Sequence, residues 1–482
     1  MNIFAYFKKK GIETIDSSFY DKIALWDSWY RADVKKFHWY RVYRGASKYE
    51  RCHRKSLSMG KKLCEDISDL LLNEKVKITL KDDATKKFVD KVLEDANFLV
   101  QGNEYQERKA ACGTVAYVPY LTNMILAEDG SVVSADVKLD YVVAKNIYPT
   151  AWENSRITEC VFVFIKTYNR KKYAQFQYHK TEPLVIDGVE SGIQYVIENS
   201  VVDCSVSGAG RELTPEQWNE IPYFRGLAAR VETGSDKPQF VIDKLNIANN
   251  VDEDDTNPMG VSIYANSIDV LAKLDIEYDS YANEFTLGRK RIFVAPELLT
   301  AADGSQVFDP DDSVFYQLPE DYFKDSHEAM HEVDMKLRVS EHEQAINNDL
   351  NLLSFKCGFG TQYYKFERGA VATATQVISE DSDLYRSVCK HEIILEDVLK
   401  DLIRSIIRLG KSANVQGLNE NTDITINFDD SIIEDKQTER QEDRQDVAMG
   451  AMGLAEYRAK WYGETEEIAQ TKLPEQSGGI LM

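Results

Sequence analysis

Several segments carry residue types that could do chemistry. His327 to His331 reads HEAMH. Two histidines at i and i+4 with Glu328 between them form a zinc-hydrolase pattern, provided that a helix puts both imidazoles on one face. The segment is short and polar, follows PEDYFKDS, and offers only Glu341 or His342 as a third ligand. Solvated surface histidines are therefore the expectation, with a zinc-dependent hydrolase as the alternative. Ser405 to Ser412, SIIRLGKS, ends like a phosphate-binding loop. It has serine where the leading glycine belongs, and it closes a helix instead of joining a strand to one, so C-capping accounts for Gly410 and Lys411. The acidic runs DEDD (Asp252 to Asp255) and DPDD (Asp309 to Asp312) could gather divalent cations. Neither has the sixth-position glycine of an EF-hand loop, and solvated turns are expected. No GxSxG occurs, no cysteine has a catalytic setting, and no carboxylate pair is singled out. The reading is of a protein without catalytic residues, cofactor or metal.

Two basic segments point to contact instead of catalysis. TQYYKFER interleaves Tyr363, Tyr364 and Phe366 with Lys365 and Arg368, a composition suited to nucleic acid; a loop with buried aromatics has the same composition. Arg289, Lys290 and Arg291 follow Gly288 in a chain whose formal charge is −22. They could complement the C-terminal dipole of the preceding helix, or act together as a positive belt.

These residues need elements to hold them. At 482 residues the chain suggests two to four domains, and 43% hydrophobic residues can fill real cores. With 80 acidic against 58 basic side chains, the composition argues against general phosphate-backbone binding. Seven cysteines without a CxxC pair fit a reducing environment. In MNIFAYFKKK the charge follows the apolar run, the wrong order for a secretory signal, and no apolar run is long enough to span a membrane.

Apolar spacing predicts helices over about 17–31, 54–73 and 83–97, with a strand, KVKITL, before the last. From 113 to 245 the period changes to two, which predicts antiparallel strands with hairpin turns at Asp129-Gly130 and Asp187-Gly188. Helical spacing returns over Ser262–Leu287. Tyr264, Ile268, Leu271, Leu274, Tyr278, Ala282 and Phe285 share one arc; Asp269, Lys273, Glu277, Asp279, Asn283 and Glu284 lie on the other. Gly288 reads as its stop. RIFVAP and SVFYQL read as strands turning at Asp303-Gly304. Helices follow over Val339–Lys356 and about 374–409, the latter closed by Gly410, then a strand, DITINF, and a charged helical tail. The class is α+β.

RKSLSMGKKLCEDISDLLLNEKVKI, NPMGVSIYANSIDVLAKLDIEYDSYANEFTLGRKRIFVAP and TATQVISEDSDLYRSVCKHE, in this order and spacing, resemble the portal proteins (head-to-tail connectors) of tailed bacteriophages, in the branch found in long-tailed phages of Gram-positive hosts. The resemblance spans about residues 15–465. It implies a ring, usually dodecameric, at one capsid vertex, assembled in the host cytoplasm, through which double-stranded DNA is packaged and ejected. It implies a mixed α/β wing (1–260), stem helices (261–288 and 338–357), a small β-rich clip (289–337), a channel loop (358–373), a long wing helix (374–410) and a C-terminal wing or crown segment (411–482). The implied partners are further copies of the chain, the terminase large subunit, scaffold and major capsid protein, and a head-completion adaptor, with no membrane. Tyr363, Tyr364, Lys365, Arg368 and Arg289–Arg291 become candidates for the DNA channel. Asp269, Glu277, Asp279 and Glu284 become candidates for an acidic stem face, and Glu297, Asp309, Asp311, Asp312 and Tyr316 for docking on the clip. Another ring-forming head component without the channel remains the alternative.

Overall fold

A computed structural model describes residues 1–43, 49–73, 76–128, 132–186, 189–287, 291–294, 315–317, 330–333, 336–361, 363–364, 374–428, 436–462 and 466–473. The architecture is α+β, with helices and sheets both prominent. The chain divides into two compact units, Met1–Ile426 and Asn427–Met482.

The first unit opens with α1 (Ile3–Lys10), whose first turn is capped by the Asn2 side chain accepting from the Ala5 amide. Its Tyr6 and Phe7 are buried against Tyr148, Val161, Val163 and Phe176 of the largest sheet. Then come α2 (Ser17–Tyr30), the short α3 (Lys35–His38) and an antiparallel hairpin of β1 (Trp39–Tyr43) and β2 (Tyr49–His53). Helix α4 covers Met59–Leu71, starting later than the predicted 54. The amides of Lys55 and Leu57 bond to side-chain carboxylates elsewhere in the unit, which takes them out of any helix. Strand β3 (Lys77–Leu80) and α5 (Asp83–Asp95, capped by Asp82) match the expectation closely.

Helix α6 (Phe98–Cys112) has no counterpart in the apolar pattern. Gln106 and Lys109 on it are fully buried, so its inner face is polar. Lys109 Nζ lies 3.0 and 3.2 Å from the two carboxylate oxygens of Asp243, and Gln106 donates to that carboxylate and to Tyr117. Burial pushes the Lys109 ammonium down, against the pull of Asp243. Gly113 ends the helix at φ +84, where a Cβ would sit 2.3 Å from the carbonyl oxygen of Gly260.

The period-two region forms β4 (Thr114–Leu126), β5 (Val132–Val143), β6 (Ile147–Glu153), β7 (Arg156–Tyr168), β8 (Lys171–Ile186), β9 (Val189–Asp203), β10 (Arg211–Glu212), α7 (Pro215–Asn219), β11 (Arg230–Glu232) and β12 (Val241–Lys244). Two antiparallel sheets result. One has the order β12-β4-β5; the other runs β10-β9-β8-β7-β6, with β11 also on β9. The strands flanking both predicted hairpin turns pair as expected, Leu126 with Val132 and Ile186 with Val189; the turn residues themselves lie outside the described set.

Helix α8 covers Ile268–Leu287. The predicted start at Ser262 fails because Gly260–Tyr264 is spent on packing. Gly260 touches Gly113, the Ile263 amide donates to the Ala110 carbonyl, and the buried Tyr264 hydroxyl donates to the Trp26 carbonyl. A small sheet follows, β13 (Arg291–Val294), β14 (Phe315–Gln317) and β15 (Met330–Val333), in the order β14-β13-β15. β13 and β14 are parallel, so the simple turn expected at Asp303-Gly304 does not join them as a hairpin; parallel strands need a crossover. Helix α9 is Val339–Lys356, as predicted.

Helix α10 runs Ala374–Ser412, about 58 Å at 1.5 Å per residue. Leu395, Val398, Leu399, Leu402, Ile406 and Ile407 form its buried spine, each contributing roughly 1.5–3 kcal/mol by burial. Gly410 does not close it. Phe88 and Leu418 press on that position, where a Cβ would meet them at 2.5 and 2.6 Å. The left-handed residue is Asn414, φ +62. Strand β16 (Ile424–Asn427) returns to pair with β3.

In the second unit, α11 (Lys436–Met449), α12 (Leu454–Tyr462) and α13 (Glu466–Thr471) follow one another. The Tyr457 hydroxyl accepts from Arg440 and Arg444, and the Trp461 indole donates to Asp443.

Candidate functional site

Helices α8 and α9 form an antiparallel pair, and the polar contacts between them show it. Lys273 Nζ lies 2.9 Å from Asp349 and Arg338 places its guanidinium on Glu284 at 3.0 and 2.8 Å. Lys356 approaches Asp269 at 3.4 Å. Arg338 holds the Glu284 carboxyl down to about 2. Glu277 is pushed the other way, first by burial and then by the charge of Asp349. His342 stacks on Tyr281 and lies 3.6 Å from Glu284. The pair brackets residues 288–338, which include the small β13–β15 sheet.

A second face of α8 is bound to the N-terminal segment. Asp275 and Asp279 sit one turn apart and both are buried. Asp275 accepts from the Ser56 hydroxyl, the Leu57 amide and His38 Nε2, all at 2.9 Å. The Val34 amide donates to His38 Nδ1 at 2.8 Å, so the ring proton is on Nε2 and points at the carboxylate. Asp279 accepts from the Lys55 amide at 3.1 Å and from Tyr40 at 3.4 Å. Together these bonds tie the β1–β2 hairpin to the helix.

The loop after α9 turns at Gly358 and Gly360, both at positive φ. Phe359 is buried and packs on Tyr363 and Tyr364, with ring centroids 5.0 and 5.8 Å away. Tyr364 donates to Asp66 of α4 at 2.7 Å. Burial and the Asp66 charge raise its phenol; burial carries Tyr363 up to about 12.

Over residues 9–473 the chain matches the family described as phage portal protein, SPP1 Gp6-like. The chain belongs to that portal family. Comparison with curated proteins finds no match. Membership makes it a protein of a bacteriophage structural family whose members are components of the capsid vertex, and it implies an oligomeric ring with phage-head partners. No helix among the described residues is long and apolar enough to cross a membrane.

Within this portal-family chain the candidate residues fare differently. Of the acidic arc on α8, Asp269 is exposed, its side chain 79% accessible. Glu277 and Glu284 are half-buried in the helix pair, and Asp279 is buried, which corrects its placement on a solvated arc. The wheel could not show that a distant segment covers it. Phe285, assigned to the apolar arc, is exposed. Tyr363 and Tyr364 come together, but against α4. Arg291 begins β13 opposite Val333, and Tyr316 lies in β14 opposite Phe293. Arg289, Lys290, Lys365, Arg368, Glu297, Asp309, Asp311 and Asp312 lie outside the described residues, as do His327, Glu328 and Gly288.

The tempting motifs resolve locally. His331 lies in strand β15, so HEAMH is not one helical turn presenting two imidazoles on a common face. SIIRLGKS lies wholly within α10. In the DEDD turn, Asp252 is bonded by Asn257 and Asp254 by Thr256. No group of three or more metal-ligating side chains occurs among the described residues. The Asp275–His38 and Asp243–Lys109 pairs escaped the sequence reading. Their partners lie 237 and 134 residues apart, and no local pattern links them.

Proposed function

We propose that this chain is the subunit of a ring, probed most simply as a dodecamer, that forms the DNA channel of a phage head and the docking platform for its packaging and completion proteins. The observation that carries the reading is the antiparallel α8–α9 pair bracketing a small sheet in a chain matched nearly end to end by a portal family. In this reading α8 and α9 are the stem, residues 289–337 the clip, 358–373 the channel loop and α10 the long wing helix. Residues before 261 make the wing, and those after 410 the C-terminal wing or crown. The segments that resemble portals of long-tailed phages of Gram-positive hosts favour that branch.

Charge supports passage of DNA. Twelve chains at −22 each would total about −264, and an acidic wall disfavours the counterion-release binding that would hold a duplex fast. Lys365, Arg368 and the Arg289–Arg291 triplet would supply limited contact. Glu297, Asp309, Asp311, Asp312 and Tyr316 would meet the terminase large subunit and later the adaptor. Scaffold and major capsid protein would meet the ring at the vertex.

Negative-stain microscopy of the purified chain tests the ring: particles with a central hole of duplex width are expected, and monomers persisting at high concentration would refute it. Neutralising Arg289, Lys290 and Arg291 in rings that still assemble, followed by a DNA-packaging assay, tests the belt. Unchanged packaging would leave the triplet as a complement to the end of α8.

A further inference from the structure

The β1–β2 hairpin carries an arrangement that the channel reading does not use. Residues 35–55 contain eight Lys and Arg against one Glu, a net +7 in a chain of net −22. The register places three cross-strand pairs on one exposed face: Trp39 with His53, Arg41 with Arg51, and Tyr43 with Tyr49. The aromatic pairs touch, with ring centroids at 4.6 and 5.4 Å. Trp39, Tyr43 and Tyr49 are 37, 58 and 68% exposed, and both arginines are exposed as well.

Two arginines directly opposite on a strand pair repel. Among the described residues neither has a hydrogen-bond or ion-pair partner; Arg51 only lies over the Trp39 ring, 4.3 Å from its centroid. The other face of the hairpin is committed: Tyr40 reaches Asp279, and Arg54 covers Phe37 and bonds its carbonyl. The Asp275 and Asp279 contacts fix which face looks outward. Lys35 and Lys36, exposed at the foot of the hairpin, extend the charge.

We propose that this face binds the phosphate backbone of duplex DNA. An unpaired arginine pair offers planar, bidentate donors matched to phosphate oxygens. Tyrosine hydroxyls beside the arginines are of the type that bonds phosphate and sugar oxygens of a duplex. A two-stranded ribbon is one of the element types that a major groove admits. An acidic protein segment would satisfy the charge but would make no use of the exposed ring pairs. The site stands apart from the channel reading, because an unassembled subunit can bind through it whether or not rings form.

The test is fluorescence anisotropy of the full-length chain with a labelled 20-base-pair duplex between 50 and 200 mM salt. If Arg41, Arg51, Lys35 and Lys36 each neutralise one phosphate, the slope of log K against log salt is about −3.6. The Arg41→Ala, Arg51→Ala double variant is expected to bring it to about −1.8. Lysines at both positions should restore the slope, while Lys237→Ala with Arg404→Ala, exposed cations elsewhere, should leave it unchanged. Both arginines project outward, so circular dichroism should report an intact fold in every variant. No binding by the parent chain, an unchanged slope in the alanine variant, or displacement of the duplex by polyglutamate at equal charge would overturn the proposal, the last in favour of an acidic protein partner. Tighter binding to a single strand of the same length would overturn the assignment to duplex.

Discussion

Replacing Asp275 by alanine should release the hairpin from α8 without unfolding the rest of the first unit. The carboxylate takes three hydrogen bonds at 2.9 Å. Ser56 can turn its hydroxyl to water, because that residue is half-buried. His38 cannot: its side chain is 0% exposed and its Nδ1 already accepts from Val34. The Leu57 amide is part-buried and has no other acceptor among the described residues. Two donors are therefore orphaned, at about 1–3 kcal/mol each, so the segment loses about 4 kcal/mol of local stability. At 1.4 kcal/mol per tenfold, its opening equilibrium should rise about 700-fold.

Amide hydrogen exchange over residues 34–57 reads that change directly, with the exchange of α10 as the internal reference. Asp275→Asn should fall between the two, since its amide oxygen can still accept from Leu57 while its NH2 opposes the His38 donor. If protection across residues 34–57 in Asp275→Ala stays within threefold of the parent, the carboxylate does not hold the hairpin. The orientation argued for its Trp39–Tyr49 face then loses its support.

Lys109→Met leaves Asp243 buried without its counter-charge and should cost about 3–5 kcal/mol in urea unfolding followed by tryptophan fluorescence, much of it recovered by adding Asp243→Leu. His179 and His391 are held neutral by burial, each down to about 3 from 6.5. Below pH 6.5 the unfolded chain takes up protons that the folded chain refuses, so stability present above 6.5 is lost as pH falls toward 3. Between pH 6.5 and 5 the two should together cost about 3 kcal/mol, and His179→Phe should remove about half of that limb in urea titrations at stepped pH. Gly113→Ala sets a Cβ 2.3 Å from a backbone oxygen at φ +84 and should abolish soluble expression. Gly11→Ala, at φ +67 with nothing within 4 Å, should cost only about 1 kcal/mol by thermal melting.

Elements whose apolar residues repeat on one face were legible from spacing alone. α9 matches to the residue, α10 to within three at its end, and the period-two region became two antiparallel sheets. α6 was hidden because the face it buries carries Gln106 and Lys109, polar groups whose partners Asp243 and Tyr117 lie on other elements. The early starts predicted for α4 and α8 share a cause. Residues 54–58 and 262–264 have helical spacing, but their backbone groups bond to Asp275, Asp279 and Ala110, and such partners appear only in three dimensions. Gly410 was read as a stop because glycine ends many helices; here it makes room for Phe88. The site was less legible still. Asp275 looks like any helix carboxylate, and the outward positions of β1 read Trp39, Arg41, Tyr43, which a count of apolar positions passes over.

A net charge of −22 is a poor guide to what the surface can bind. Removing the +7 of residues 35–55 leaves −29 on the remainder, so the chain is both more acidic and more basic than its average. At physiological salt a charge is felt over about 8 Å. Across that distance a phosphate meeting Arg41 and Arg51 is attracted locally, against the one charge of Asp33 that the Trp39 indole holds, and scarcely feels carboxylates on distant faces. The same screening lets an acidic channel wall repel a duplex within it while a basic finger elsewhere holds one. Composition argues against DNA adhesion over the surface as a whole, and that argument holds. It says nothing against a contact confined to one ribbon, where two arginines face each other between aromatic pairs in edge-on and tilted contact.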